Sequence, residues 1–282
     1  MQKTWVQITK KIFLDSIKIV GIVTFLMIVI EWFQIKFEDR IKKVLIKDPR
    51  NQIIGSSLLG AIPGCIDAFL VVSLYSHGLV GFGALAAVML STAGDEAFIM
   101  LATIPKTAIL IFSICAVFGI AGGYIFEKIA SKINLKRAEP CPIEIHAEEY
   151  NIKHFFKEHV YEHILKKHIL KLFLWIFFTL LIIHFLMQYF DLEYILPENR
   201  LFLIILAALI GIIPESGPHL VFLTLYSQGL IPFSVLLVSS LSQDGHGLLP
   251  LLSYSVKDTI KVQIFTTIFS LLVGTILYLI GI

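Results

Sequence analysis

Long apolar runs separated by short polar stretches dominate the chain. Runs near the roughly 20 residues that a bilayer core requires lie at Ile12 to Phe33, Ile53 to Tyr75, Leu79 to Ile104, Thr107 to Phe126, Ile169 to Phe190, Leu201 to Tyr226, Leu230 to Tyr254 and Ile260 to Ile280. The expected fold is an all-α polytopic membrane protein. Pro63 and Gly64 interrupt the second run, and Pro214, Gly217, Pro218 and Gly245 interrupt the sixth and seventh. Proline removes a helix hydrogen bond and glycine permits an unwound backbone, so broken or re-entrant helices are expected there. Gly119, Gly122 and Gly123 give the fourth run a close-packing face. The basic stretch Lys36 to Arg50 has apolar positions spaced for an amphipathic surface helix.

The pattern also repeats. Laid over Leu209 to Leu252 at an offset of 151 residues, the spacing from Pro63 to Pro214, the earlier stretch ending at Leu101 needs no gap. Gly60, Ile62 and Pro63 meet Gly211, Ile213 and Pro214, while Leu74, Tyr75, Ser76, Gly78 and Leu79 meet Leu225, Tyr226, Ser227, Gly229 and Leu230. Matching of apolar residues alone does not place prolines, glycines and tyrosines together, so two homologous repeats are expected. The loop before the first core is basic and its counterpart, Asp191 to Glu198, is acidic. That contrast points to inverted repeats, the mark of transporters whose site lies at the repeat interface. The expected organisation is membrane repeat one over 1–127, a His-rich cytoplasmic linker over 128–167 and membrane repeat two over 168–282.

Composition agrees with a multi-pass membrane protein: 57% of the 282 residues are hydrophobic and 16% charged, and mean hydropathy is +0.84. No signal-peptide cleavage pattern precedes the first run, which is therefore expected to remain a membrane helix. The net charge of +2 is too small to suggest a nucleic-acid partner. Cys65, Cys115 and Cys141 have no paired spacing, which argues against a disulfide framework or a thiolate metal site.

The chemistry sits in the repeated core. The scaffold residues agree between the repeats while the polar ones differ: Gly64, Cys65, Asp67 and Ala68 face Glu215, Ser216, Pro218 and His219, and Ala93, Asp95 and Glu96 face Asp244, His246 and Gly247. Ionisable side chains at bilayer depth cost several kcal/mol and usually serve a function. Five acids and two histidines exceed what capping of broken helices requires. Asp67, Asp95, Glu96, Glu215, His219, Asp244 and His246 are thus the candidate ligands, with Cys65, Ser216 and Gln243 in support. Such a donor set suits Mn(II), Fe(II), Zn(II) or Co(II) and suits Cu(I) or arsenite poorly. Carboxylates and imidazoles that take a proton when no metal is bound would couple the two movements. In the linker, His154, His159 and His163 form either a metal-collecting loop or a solvated amphipathic helix. His159, Glu162 and His163 match an H-x-x-E-H peptidase pattern, but there is no third ligand or housing domain, and no enzyme is expected.

These residues carry a resemblance. Gly60-Ala-Ile-Pro-Gly-Cys65, Gly94-Asp-Glu-Ala-Phe98, Ile213-Pro-Glu-Ser-Gly-Pro-His219 and Gln243-Asp-Gly-His-Gly247 together resemble the family of ten-transmembrane heavy-metal exporters, whose members are often labelled manganese transporters or arsenic efflux proteins. The resemblance spans nearly the whole chain and implies metal efflux through the inner membrane. Read with the donor set, it favours a divalent transition metal as cargo, Mn(II) first, exchanged against protons, with no prosthetic group. The implied partners are the bilayer, the metal ion and protons, and a homo-oligomer stays open. The alternative is a permease for a small organic or oxyanionic solute, arsenic species included, which would want helix N-termini and basic side chains at its site.

Overall fold

A computed structural model describes residues 5–140, 169–190, 196 and 199–281. Among them are twelve α-helices, two 3-10 turns and no strand. The first helix, α1 (Trp5–Lys47), runs straight through the basic stretch, which therefore continues the first span and does not form a surface helix of its own. The reason is local. No glycine or proline stands between Phe33 and Asp48, and the residue before a proline is driven out of the helical region, so the helix stops at Pro49.

Pro49 then opens α2 (Pro49–Gly60), where its missing N–H costs nothing. After a turn containing Pro63 and Gly64 come α3 (Ile66–Ser76), α4 (Phe82–Ser91), α5 (Glu96–Thr103) and α6 (Pro105–Lys132). A second long helix, α7 (Leu170–Tyr189), precedes α8 (Arg200–Ile210), a 3-10 turn at Gly217–His219, α9 (Leu220–Ser227) and α10 (Phe233–Ser242). A further 3-10 turn at Gly245–Gly247 leads into α11 (Leu248–Tyr254) and α12 (Val256–Leu279). The order of elements from α2 to α6 thus recurs from α8 to α12 at the offset read from the sequence.

Small features recur with it. The turn after α3 has Gly78 at φ +82 and that after α9 has Gly229 at φ +76. In both, two N–H groups close back on the helix: Gly78 on Tyr75 and Leu79 on Leu74, then Gly229 on Tyr226 and Leu230 on Leu225. This left-handed ending satisfies the last carbonyls of a helix. Lys106 and Lys257 each lie in the first turn of a long helix, α6 and α12, as segment-end markers should.

Among the described residues, five stretches are long and apolar enough to cross a membrane: Gln7–Ile30, Phe82–Thr103, Pro105–Lys132, Leu170–Tyr189 and Val256–Leu279. The other expected runs are divided by the breaks at Pro63, Pro214 and Gly245 into shorter helices, Asp67–Ser76 and Arg200–Ile210 among them. The protein is a multi-pass membrane protein. Its long helices turn Phe25, Val117, Phe178 and Leu272 outward, an apolar exterior that water would not tolerate on this scale. The shorter α4 and α10 lie inside; every residue of α4 is buried.

Close packing holds this centre. A Cβ on Gly123 would stand 2.7 Å from both the Gly83 carbonyl oxygen and Ile53, and one on Gly119 would stand 2.8 Å from the Ala87 oxygen, so α6 touches α4 backbone to backbone. Beside this seam, the Ser57 hydroxyl of α2 donates to the Ala116 carbonyl of α6 at 2.7 Å. Glu127 of α6 accepts the Gly83 N–H at 2.6 Å, supplying from a neighbour the cap that Gly81 has no side chain to give.

After α6, residues 134–140 form a strap bound across the helix ends. Asp258 is its anchor: Oδ2 accepts the Tyr75 hydroxyl at 2.9 Å and the Ala138 N–H at 3.0 Å, and Oδ1 accepts Lys261 Nζ at 2.7 Å. The Tyr254 hydroxyl donates to the Glu139 carbonyl at 2.9 Å, and Lys261 also donates to the Lys136 carbonyl at 2.6 Å. Arg137 stacks 4.0 Å above the Tyr75 ring and donates to the Val80 carbonyl.

Candidate metal centre

The helix breaks after α4 and α10 meet each other. Gly94 and Gly245 stand at φ +51 and +55, a left-handed conformation that glycine adopts without strain. They are one offset apart in the sequence and touch in space. A Cβ on Gly245 would be 3.7 Å from the Gly94 Cα, and one on Gly94 would be 3.9 Å from the Gly245 Cα. The interruption at Gly94 was not among the expected breaks, although its partner Gly245 was.

The residue after each glycine carries the chemistry. His246 Nδ1 lies 3.4 Å from Asp95 Oδ2, so the two matched positions of the core face one another directly. Cys65, beside the Pro63-Gly64 break, approaches both, with Sγ 3.3 Å from Asp95 Oδ1 and 3.7 Å from His246 Nδ1. Among the described residues, Cys65, Asp95 and His246 form the group of possible metal ligands, with donor atoms all within 4.8 Å of one another. Donors around a tetrahedral ion with bonds of 2.0–2.3 Å stand roughly 3.3–3.8 Å apart. The Cys65–His246 separation falls in that range, and so do those of Cys65 to Asp95 Oδ1 and of His246 to Asp95 Oδ2, two different oxygens of one carboxylate.

On its other side, His246 Nε2 lies 3.4 Å from Glu215 Oε1. The second Glu215 oxygen pairs with the ammonium of Lys171, in the first turn of α7. Asp95, Glu96, Lys171, Trp175, Glu215, Ser216 and His246 line a common cavity of about 20 Å³, room for one water-sized species. Trp175 closes over it, its ring against Gly217 where no Cβ would fit.

The remaining candidates surround this group without entering it. Glu96 is buried and accepts Gln243 Nε2 at 3.0 Å, and the same amide donates to the Ala93 carbonyl at 3.0 Å. Ser216, which holds the place of Cys65 in the second half, is buried with its hydroxyl over Gly94. Asp244 is buried against Thr266. His219 is fully buried with Nδ1 2.8 Å from the Ser239 hydroxyl, and Asp67 is likewise buried. Glu96, Asp244, His219 and Asp67 stand outside the three-donor group. Cys65, given only a supporting part by sequence, stands at its centre. His154, His159 and His163 lie outside the described residues.

Lys171 is the residue that sequence reasoning missed. A lysine just inside an apolar run reads as a topology flank, and nothing in one dimension links it to Glu215. By contrast, the pairing of Asp95 with His246 was legible, because the offset sets those positions opposite one another.

No curated protein and no solved structure matches the chain. The model of the family described as "Putative, 10TM heavy-metal exporter" matches it over residues 6–188 and 158–281, two overlapping segments that together leave only the extreme ends unmatched. The chain belongs to that family of membrane transporters.

Proposed function

We propose that the protein exports a divalent transition metal across the inner membrane and binds it between Cys65, Asp95 and His246. The observation that carries this reading is the contact of Asp95 with His246, with Cys65 at coordination distance from both. Two duplicated helix breaks, meeting at Gly94 and Gly245, bring one ligand from each half to a shared point. Inverted repeats rocking about that point would expose it alternately to the two sides.

The donor set refines the choice of metal. Carboxylate and imidazole alone suit Mn(II), Fe(II), Zn(II) or Co(II), and a thiolate among three donors moves the preference toward Zn(II) or Co(II). Asp95 and His246 face one another, and a proton shared between them must leave to water when a metal binds, which supports exchange against protons. A permease for oxyanions is less well supported, because the lysine lining the cavity is already paired with Glu215.

Metal uptake into proteoliposomes, with and without a proton gradient, tests the proposal. Zn(II) or Co(II) is expected to move faster than Mn(II), and arsenite not at all. Asp95→Asn and His246→Gln should each abolish the flux, and Cys65→Ser should reduce Zn(II) flux more than Mn(II) flux. If no dication moves, or if Asp95→Asn and His246→Gln match wild type, the exporter reading of this site is wrong.

A further inference from the structure

We propose that Lys171 holds Glu215 out of the metal's coordination sphere, so that the site keeps three protein donors and an open position; the inference rests on the metal reading of Cys65, Asp95 and His246 given above. Metal sites that exchange their ligands keep an open position, whereas four protein donors make a closed, structural site. A transporter must release what it binds.

The placement of Lys171 needs a reason of this kind. It lies in the first turn of α7, where the helix dipole disfavours a cation. Its ammonium nevertheless reaches to the break between α8 and α9 and pairs with Glu215 Oε2. Glu215 lines the same cavity as Asp95 and His246, and its other oxygen lies 3.4 Å from His246 Nε2, behind the ring whose Nδ1 faces Asp95 and Cys65. The Lys171 side chain is 50% exposed and that of Glu215 24%, so neither is locked in place by packing, and their charges hold them together.

The same arrangement gives Glu215 a positioning part. With a dication on His246 Nδ1, the Nε2–H donates to Glu215, and a carboxylate behind a metal-bound imidazole fixes the ring and strengthens it as a ligand. Lys171 keeps Glu215 in that outer place. Without the ammonium, the carboxylate is attracted to the dication and can swing onto it.

The test is direct binding of Zn(II) and Co(II) to the purified full chain in detergent, together with transport in proteoliposomes. Lys171→Gln and Lys171→Met are expected to bind at least tenfold more tightly than wild type and to turn over more slowly. Their bound Co(II) should give a changed visible spectrum, as a carboxylate joins the metal. Lys171→Arg, which keeps the charge, should stay within about twofold of wild type. Adding Glu215→Gln to Lys171→Gln should remove most of the tightening. Unchanged or weaker binding in both Lys171→Gln and Lys171→Met, with wild type binding normally, would overturn the role of Lys171 alone. A wild-type chain that binds neither metal would overturn the metal reading and this inference with it.

Discussion

Gly94 and Gly245 put the site within reach of a single substitution. Each holds a left-handed backbone, which costs a residue with a Cβ about 1–2 kcal/mol. At Gly94 a Cβ would also stand 2.9 Å from the Ser216 hydroxyl, whereas at Gly245 its nearest neighbour is 3.7 Å away. Gly94→Ala is therefore expected to lower the melting temperature in detergent more than Gly245→Ala, and to weaken metal binding by displacing Asp95. Equal melting temperatures would show that Ser216 yields without cost. At this scale the sequence exposed the ionisable residues but not their ranking. Cys65 reads as a lone cysteine until the break at Pro63 and Gly64 is folded against Asp95. Glu96 and Asp244 are as unusual in the sequence as Asp95 and His246, yet each is only a near neighbour of the Cys65, Asp95 and His246 cluster and stands outside it.

Among the elements, the seam between α4 and α6 was the most legible. Gly119, Gly122 and Gly123 were expected to permit close approach, and Gly119 and Gly123 do so against the α4 backbone. Gly123→Leu should overpack this seam and cost about 1–3 kcal/mol. Thermal unfolding of the detergent-solubilised protein measures this, with outward-facing Val117→Leu as the near-neutral control. If both melt alike, the seam is looser than described. The cap that Glu127 gives α4 was not legible, because that glutamate sits where the apolar run ends and reads as the polar close of the span. The length of α1 was misread for a related reason. Charge suggested a change of element, while helix continuity depends on the absence of proline and glycine.

For the whole molecule, a constant offset without gaps was the strongest signal, and the recurring order of helices follows it. What the offset could not give was the strap over residues 134–140. Its hold on the helices is open to a proteolytic test. Tyr75→Phe removes one hydrogen bond, about 1 kcal/mol, and Asp258→Ala removes three. Trypsin should therefore cut after Lys136 and Arg137 faster in Asp258→Ala than in Tyr75→Phe, and in both faster than in wild type. Indistinguishable rates would mean that the strap is held elsewhere. The strap offers mostly main-chain atoms to its partners: the Ala138 N–H and the Lys136 and Glu139 carbonyls. Any residue but proline at 138 supplies the same atoms. The place where the chain settles after α6 is thus written in Tyr75, Tyr254, Asp258 and Lys261, and much of the strap's own wording is free to drift without changing where it is delivered.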